Sequence, residues 1–183
     1  MSIRGLEQAI QNLESISKTA VPRASAQAVN RIASRAVSRS VRTVAAAEKL
    51  PQKLIKQRAR VKKATVRKPV ATIRVNRGNL PAIKLGTASV RLSRNKKDAR
   101  GASSILRIGK YSFPGAFIQQ LANGRWHVLR RTTKNRYPIE VVSIPLAAPL
   151  TDAFGREVRA LHESDLPKEM AAALKNQLRL ILK

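Results

Sequence analysis

Cysteine is absent from this chain of 183 residues, so disulfides, thiolate nucleophiles and cysteine-ligated zinc are excluded together, as suits a reducing compartment. Histidine occurs twice, at His127 and His162, and neither has carboxylates at ligand spacing, so no metal is expected. Acids are scarce: between residues 49 and 139 there is Asp98 alone, which leaves no pair of carboxylates for acid–base work around His127. No G-x-S-x-G elbow, phosphate loop or dinucleotide fingerprint occurs. The expectation is therefore a protein that is not an enzyme, with no catalytic residue, cofactor or metal. No apolar run approaches the roughly 20 residues that span a bilayer, so no membrane partner is expected. Glu7 and Glu14 interrupt "MSIRGLEQAIQNLESISK" where a secretory signal needs an uncharged core, which points to the cytoplasm or to a particle assembled there. Aromatics are few as well. Five of the six, Tyr111, Phe113, Phe117, Trp126 and Tyr137, lack the spacing of a base-stacking platform and are expected mostly in the core.

What the chain has in excess is positive charge: 37 Lys and Arg against 10 Asp and Glu, a formal net charge of +27. Its distribution is uneven. Residues 1–48 hold seven bases and three acids, residues 49–139 hold 24 bases and one acid, and residues 140–183 hold six of each. Self-repulsion on this scale disfavours a compact monomer and calls for a polyanion or an acidic protein surface as partner. Two clusters are dense enough to be candidate nucleic-acid contacts: Lys53, Lys56, Arg58, Arg60, Lys62, Lys63, Arg67 and Lys68, and then Arg94, Lys96, Lys97 and Arg100. Long flexible cations suit phosphates, whose attraction is independent of sequence and falls with salt.

Apolar residues at steps of three and four, Ile3, Leu6, Ile10, Leu13 and Ile16, predict an amphipathic helix over about 3–20. Pro22, tolerated in a first turn, opens a second over about 22–48. One face of that helix carries Val29, Ile32, Ala33, Ala36, Val37, Val41 and Val44, the other Arg31, Arg35, Arg39 and Arg42. The arginine face reads either as solvated or as aimed at a partner. After Pro51 a short helix gives way to strands, clearest in "ATIRVNRG" and "AIKLG", with turn chemistry at Asn76-Arg77-Gly78-Asn79 between them. "SRNKKDARGASS", residues 93–104, lacks apolar periodicity and is expected to be a flexible basic loop. "ILRIG" begins another strand. "AFIQQL" and "WHVLRR" flank Ala122-Asn123-Gly124-Arg125, and Asn-Gly predicts a type I′ hairpin with both residues at positive φ. "YPIEVVSIP" adds one strand, and helices return over about 149–163 and 167–182, the second with Leu174, Leu178 and Ile181 inward. This order predicts an α+β fold in a single domain spanning 1–183. Two N-terminal helices and C-terminal helices over about 149–183 would pack on a mostly antiparallel sheet, with the basic segment and strands over about 49–145.

The blocks "GLEQAIQNLESISKTAVP", "VNRGNLPAIKLG", "PGAFIQQLANGRWHV", "NRYPIEVVSIPLAAPLTDAF" and "LPKEMAAALKNQLRLILK", in this order, resemble the minor tail protein Z family of lambda-like siphophages and their prophages. The resemblance implies a structural virion protein, made in the host cytoplasm, that completes the head-proximal end of a long non-contractile tail. Tail terminator and tail tube proteins, head–tail connector proteins and the tape-measure protein are its implied neighbours. More distantly, the N-terminal helix pair, the sheet and the Pro-flanked exit from the last strand are similar to neck and head–tail joining proteins, which implies a homo-oligomeric ring, six-fold like the tail tube. The family brings no catalytic motif. Pro114, Gly115, Phe117, Asn123, Gly124, Trp126, His127, Tyr137 and Pro138 carry over as a structural signature only. In such a ring the central bases form a positive collar suited to holding the phage DNA end by phosphate contacts. Two other readings stand beside this one: a cellular basic nucleic-acid-binding protein, and a purely structural joint whose bases meet acidic neighbouring proteins.

Overall fold

The computed structural model describes residues 3–92 and 104–181. It divides into two units, the residues up to Asn76 together with those from Pro149 onward, and Arg77–Ala148.

The first unit is built on one long helix. α1 (Ile3–Ser15) runs through a π-helical segment (Ile16–Ala20) into α2 (Val21–Ala47). Ser15, Ala20 and Val21 all keep right-handed helical backbone angles, so the helix break expected before Pro22 does not occur. Val21 N–H donates to the Ile16 carbonyl, five residues back, and this wider turn gives the Pro22 ring room inside the helix. The buried stripe of α2 is made mostly of small residues: Ala24, Ala28, Ala33, Ala36, Val37, Val41 and Val44 around Ile32. α4 (Ala147–Ser164) and α5 (Leu166–Ile181) follow one another along that stripe, antiparallel to α2. Ala24 and Ala28 pack with Ala173, Leu166, Met170 and Leu174, and Ile32 and Ala36 pack with Leu161. Ser40, fully buried, donates to the Ala153 carbonyl at 3.5 Å. Small side chains let the helices approach closely, and overpacking a seam of this kind costs about 1–3 kcal/mol per site. Leu174, Leu178 and Ile181 are half-buried, while the fully buried residue of α5 is Ala173.

The same unit holds a short helix, α3 (Gln52–Lys56), anchored by the fully buried Ile55. β1 (Ala59–Lys62) and β2 (Thr72–Val75) then pair antiparallel, Ala59 opposite Val75 and Lys62 opposite Thr72. Successive strand side chains point to opposite faces. Ala59, Val61, Ile73 and Val75 are accordingly half-buried, and Arg60, Lys62, Thr72 and Arg74 are exposed.

In the second unit the antiparallel strands are spread over three small sheets. β3 (Leu80–Pro81) pairs with β10 (Ser143–Ile144), β4 (Ala88–Leu92) joins β5 (Ser104–Ile108) and β6 (Tyr111–Pro114), and β7 (Ala116–Gln120) joins β8 (Trp126–Arg131) and β9 (Ile139–Val141). Leu80, Leu106, Ile108, Val128 and Leu146 are its fully buried residues of greatest bulk. "AIKLG" is not a strand. Residues 82–85 form a 3₁₀ turn after Pro81, whose three-residue period puts Ala82 and Leu85 together on the buried side. "YPIEVVSIP" is two strands, because the chain changes partner at Val142: its N–H donates to Val128 and its carbonyl accepts from Ala82. The hairpin between β7 and β8 forms as expected, with Phe117 opposite Leu129. Its turn is not type I′. Gly124 N–H donates to the Leu121 carbonyl at 2.9 Å, and of the two turn residues Gly124 alone has positive φ, at 73°. That is the pattern of a type I turn followed by a glycine bulge, in which Asn123 keeps a negative φ and caps the turn by accepting from Arg125 N–H at 3.0 Å.

Candidate nucleic-acid interface

Between residues 49 and 76 the sequence has ten bases and no acid, and the fold sorts them. Strand alternation puts Arg60, Lys62 and Arg74 on one exposed ribbon face, with Arg60 directly opposite Arg74. Like charges directly across a strand pair repel, so an anion that neutralises this face also stabilises the ribbon. Lys63, Arg67 and Lys68 are exposed on the connection between β1 and β2, and Lys53 and Lys56 are exposed on α3. None of these eight has a carboxylate partner among the described residues. Arg74 escapes a search for runs of charge because apolar neighbours flank it; alternation was the signal that could have found it.

The connection is pinned rather than loose. Asn30 of α2 donates to the Ala64 carbonyl at 2.9 Å and accepts from Ala64 N–H at 2.7 Å, so its amide stands in for a neighbouring strand. Thr65 and Lys68 exchange backbone hydrogen bonds at 2.9 and 3.1 Å, which presents Arg67 and Lys68 on a tight turn. Lys63 also lines an open polar cleft of about 480 Å³ with Gln27, Asn30, Arg31, Ser34 and Arg35. Arg58 has a different task. It is half-buried, its guanidinium donates to the Asn76 carbonyl at 3.3 Å, and burial lowers its pKa from the ordinary arginine value without removing its charge at neutral pH. It fastens the end of the ribbon. Arg94, Lys96, Lys97 and Arg100, with the loop expected over 93–104 up to residue 103, lie outside the described residues.

Three arginines of the α2 face, about half exposed, meet acids of the same unit. Arg31 donates to Glu169 at 3.0 Å, Arg35 reaches Glu169 and Asp165, the latter at 3.3 Å, and Arg39 lies 3.7 Å from Asp165. The arginines are spaced one helical turn apart and so are the two acids, so the rows mesh across the antiparallel helices. The Ser164 hydroxyl, donating to Asp165 at 2.8 Å, is the main cause holding that carboxyl below its ordinary pKa, with Arg39 and Arg35 adding to it and partial desolvation opposing. Glu169 is held low chiefly by the hydrogen bond from Arg31, again against desolvation, with Arg35 assisting. Arg42, at the end of the row, is exposed.

The signature residues all lie in the second unit. Gly115 (φ 69°) turns the chain between β6 and β7 just after Pro114, and its N–H donates to the Ser104 carbonyl at 2.9 Å. Phe117 is half-buried under the Arg131 guanidinium, 5.3 Å from the ring centre. Trp126 and Tyr137 are 56% and 65% exposed, which overturns the expectation that the aromatics are mostly core. The physical reason is depth: small two- and three-stranded sheets leave Trp126, at the start of β8, and Tyr137, in the connection before β9, uncovered, and among the described residues Phe154 of α4 is the one buried aromatic. Arg136 lies 5.8 Å from the Tyr137 ring, and Pro138 follows through a cis peptide. His127 is half-buried with its Nδ1 enclosed and unpartnered. Among the described residues no group of three or more His, Asp or Glu is placed to hold a metal, and no helix is long and apolar enough to cross a membrane.

Comparison with known proteins places these features in a family. The chain is 75% identical over 182 residues to the tail completion protein of Escherichia phage N15, covering 100% of this chain and 99% of that protein. It is 53% identical over 191 aligned residues to tail completion protein Z of Escherichia phage lambda, covering 100% of both. No solved structure matches it. A sequence model described as prophage minor tail protein Z (GPZ) matches residues 3–183, across both units and with the ribbon and the aromatic hairpin inside the match. The chain belongs to the prophage minor tail protein Z family.

Proposed function

We propose that this chain is a structural tail completion protein at the head-proximal end of a long non-contractile phage tail, in the neck, where it holds the DNA end without sequence preference. Its family and the names of its two relatives support the tail role. The observation that carries the DNA contact is the exposed ribbon face of Arg60, Lys62 and Arg74, backed by ten bases and no acid between residues 49 and 76. Unpaired cations on a fixed ribbon attract phosphates and release counterions on contact, which is sequence-independent binding. In a homo-oligomeric ring, six-fold like the tail tube, that face repeats around a channel and focuses the field along it. Tail terminator, tail tube, connector and tape-measure proteins are its neighbours in the virion after assembly in the host cytoplasm, and no catalysis is part of the role. A purely structural joint is the second reading. Exposed Trp126 and Tyr137 favour a protein contact in the second unit, since aromatics of this kind anchor interfaces.

The test is a cryo-EM map of the head–tail junction in particles carrying either the natural chain or Lys62→Glu with Lys63→Glu, with and without packaged DNA. The expected result is a ring at the top of the tail with residues 53–68 facing a DNA-filled channel, and DNA displaced from that channel in the variant. Normal DNA position with failed tail assembly would favour the joint. Absence of the chain from the junction would overturn the tail position and favour a cellular nucleic-acid-binding protein.

A further inference from the structure

The connection between β8 and β9, residues 132–138, is exposed along its whole length and yet braced. Thr132 donates to the Pro138 carbonyl from both its N–H, at 3.1 Å, and its hydroxyl, at 3.2 Å, and the Thr133 hydroxyl donates to the Tyr137 carbonyl at 3.2 Å. These bonds close the connection into a short, preformed finger. It carries Lys134, Asn135, Arg136 and Tyr137; the Arg136 guanidinium lies 5.8 Å from the centre of the Tyr137 ring, and Tyr137 is 65% exposed. No acid offsets this charge. The sequence has none between residues 99 and 139, and Glu140, which follows, is held by Arg130 at 2.6 Å.

We propose that this finger binds nucleic acid at an unpaired or terminal base, which stacks on Tyr137 while Lys134 and Arg136 hold the adjoining phosphates. The surroundings of the ring select that ligand. The centre of a protein interface is depleted of charge, whereas the five residues that lead to Tyr137 in this loop are Thr, Thr, Lys, Asn and Arg. An open aromatic face beside cations, with no acid near it in sequence, suits single-stranded nucleic acid: bases stack on tyrosine and on guanidinium planes, and cations track the backbone. Within a duplex every base is already stacked on both faces. The ring therefore finds an open base only in a single strand or at a duplex end, whereas the cations of the β1–β2 ribbon reach phosphates anywhere along a duplex. The inference rests on the DNA-holding reading above and names the part of the DNA that the second unit recognises, its end.

Tyr137→Ala, Tyr137→Phe and Arg136→Gln are compared with the natural chain, with circular dichroism as the check on folding at these exposed positions. Fluorescence anisotropy across a salt series measures binding to an oligothymidine strand and to a covalently closed duplex circle, and a short duplex with 2-aminopurine as its last base reports stacking by loss of its emission. The expected result is that Tyr137→Ala binds the strand roughly tenfold more weakly at an unchanged salt slope, since the ring carries no charge, and binds the circle within about twofold of the natural chain. It also loses the 2-aminopurine response, which Tyr137→Phe keeps. Arg136→Gln is expected to lower the salt slope for the strand by about 0.7. Strand binding unchanged in Tyr137→Ala, or weakened equally for strand and circle, would overturn the finger contact and leave the ribbon reading standing. Failed tail assembly by Tyr137→Ala at unchanged strand binding would overturn it too and assign the ring to a protein neighbour. A natural chain that binds neither strand nor circle would overturn both the finger and the DNA-holding reading.

Discussion

The arginines of α2 and the bases of the β1–β2 ribbon belong to the same unit and look alike in sequence, as cations at regular intervals among apolar residues. Their surroundings differ. Arg31, Arg35 and Arg39 face Asp165 and Glu169, delivered by the end of α4 and the start of α5, whereas Arg60 and Arg74 face each other beside Lys62 on one ribbon face, with no ion pair to an acid among the described residues. The first row is largely offset from within, three arginines against two acids, and fastens two helices together. The second carries its charge outward, so only it has a reason to bind an external polyanion. A net charge of +27 therefore says how much positive potential exists and nothing about which part of it is available.

Reversing the ribbon breaks this comparison most strongly. Arg60→Glu with Lys62→Glu and Arg74→Glu is expected to weaken binding to duplex DNA of any sequence roughly a hundredfold at about 0.1 M salt and to lower the slope of log affinity against log salt by about 3. Arg31→Gln with Arg35→Gln and Arg39→Gln is expected to change DNA affinity by less than about threefold, since internally paired charges release few counterions on binding. Fluorescence anisotropy across a salt series measures both; equal losses would erase the distinction between the rows.

A smaller effect is expected when the ribbon keeps its charges and loses its anchor. Asn30→Ala leaves the buried Ala64 N–H and carbonyl without their partner, which is expected to cost about 2 kcal/mol in denaturant unfolding. Unchanged stability would mean that the connection is held by its own turn alone.

The smallest effect separates the paired row by pH. Asp165 and Glu169 have lowered pKa values in the folded chain, so the unfolded chain binds more protons as pH falls. Their contribution is present above the ordinary carboxylate range and is lost as pH drops through it, below about 4. Asp165→Asn with Glu169→Gln is expected to lower the melting temperature modestly at pH 7 and to flatten its decline between about pH 5 and pH 3. A decline as steep as that of the natural chain would assign the acid sensitivity to other groups.

Periodicity alone was enough to read the helical stripe of α2, the alternation around Ile73 and Val75 and the α+β class, because those patterns are local consequences of a 3.6- or 2-residue repeat, and Pro167 marked the first turn of α5 to within a residue. The order of the sequence blocks was enough to indicate the family. Other features needed partners distant in the chain. Ala82–Leu85 became a 3₁₀ turn because Ala82 and Leu85 are both buried, and Asn123 took the turn conformation that leaves positive φ to Gly124. Arg60 and Arg74 face each other only through the strand register, and Arg35 finds Asp165 across 130 residues. The exposed row of Leu6, Ile10 and Leu13 shows the same boundary: spacing dictates that an apolar face exists, while coverage depends on what the rest of the molecule brings within reach. By itself the sequence determined the elements, their order and the total charge, each a property of neighbours along the chain. Tertiary structure decided which charges are paired and which faces are left open, because pairing and burial depend on distance in space.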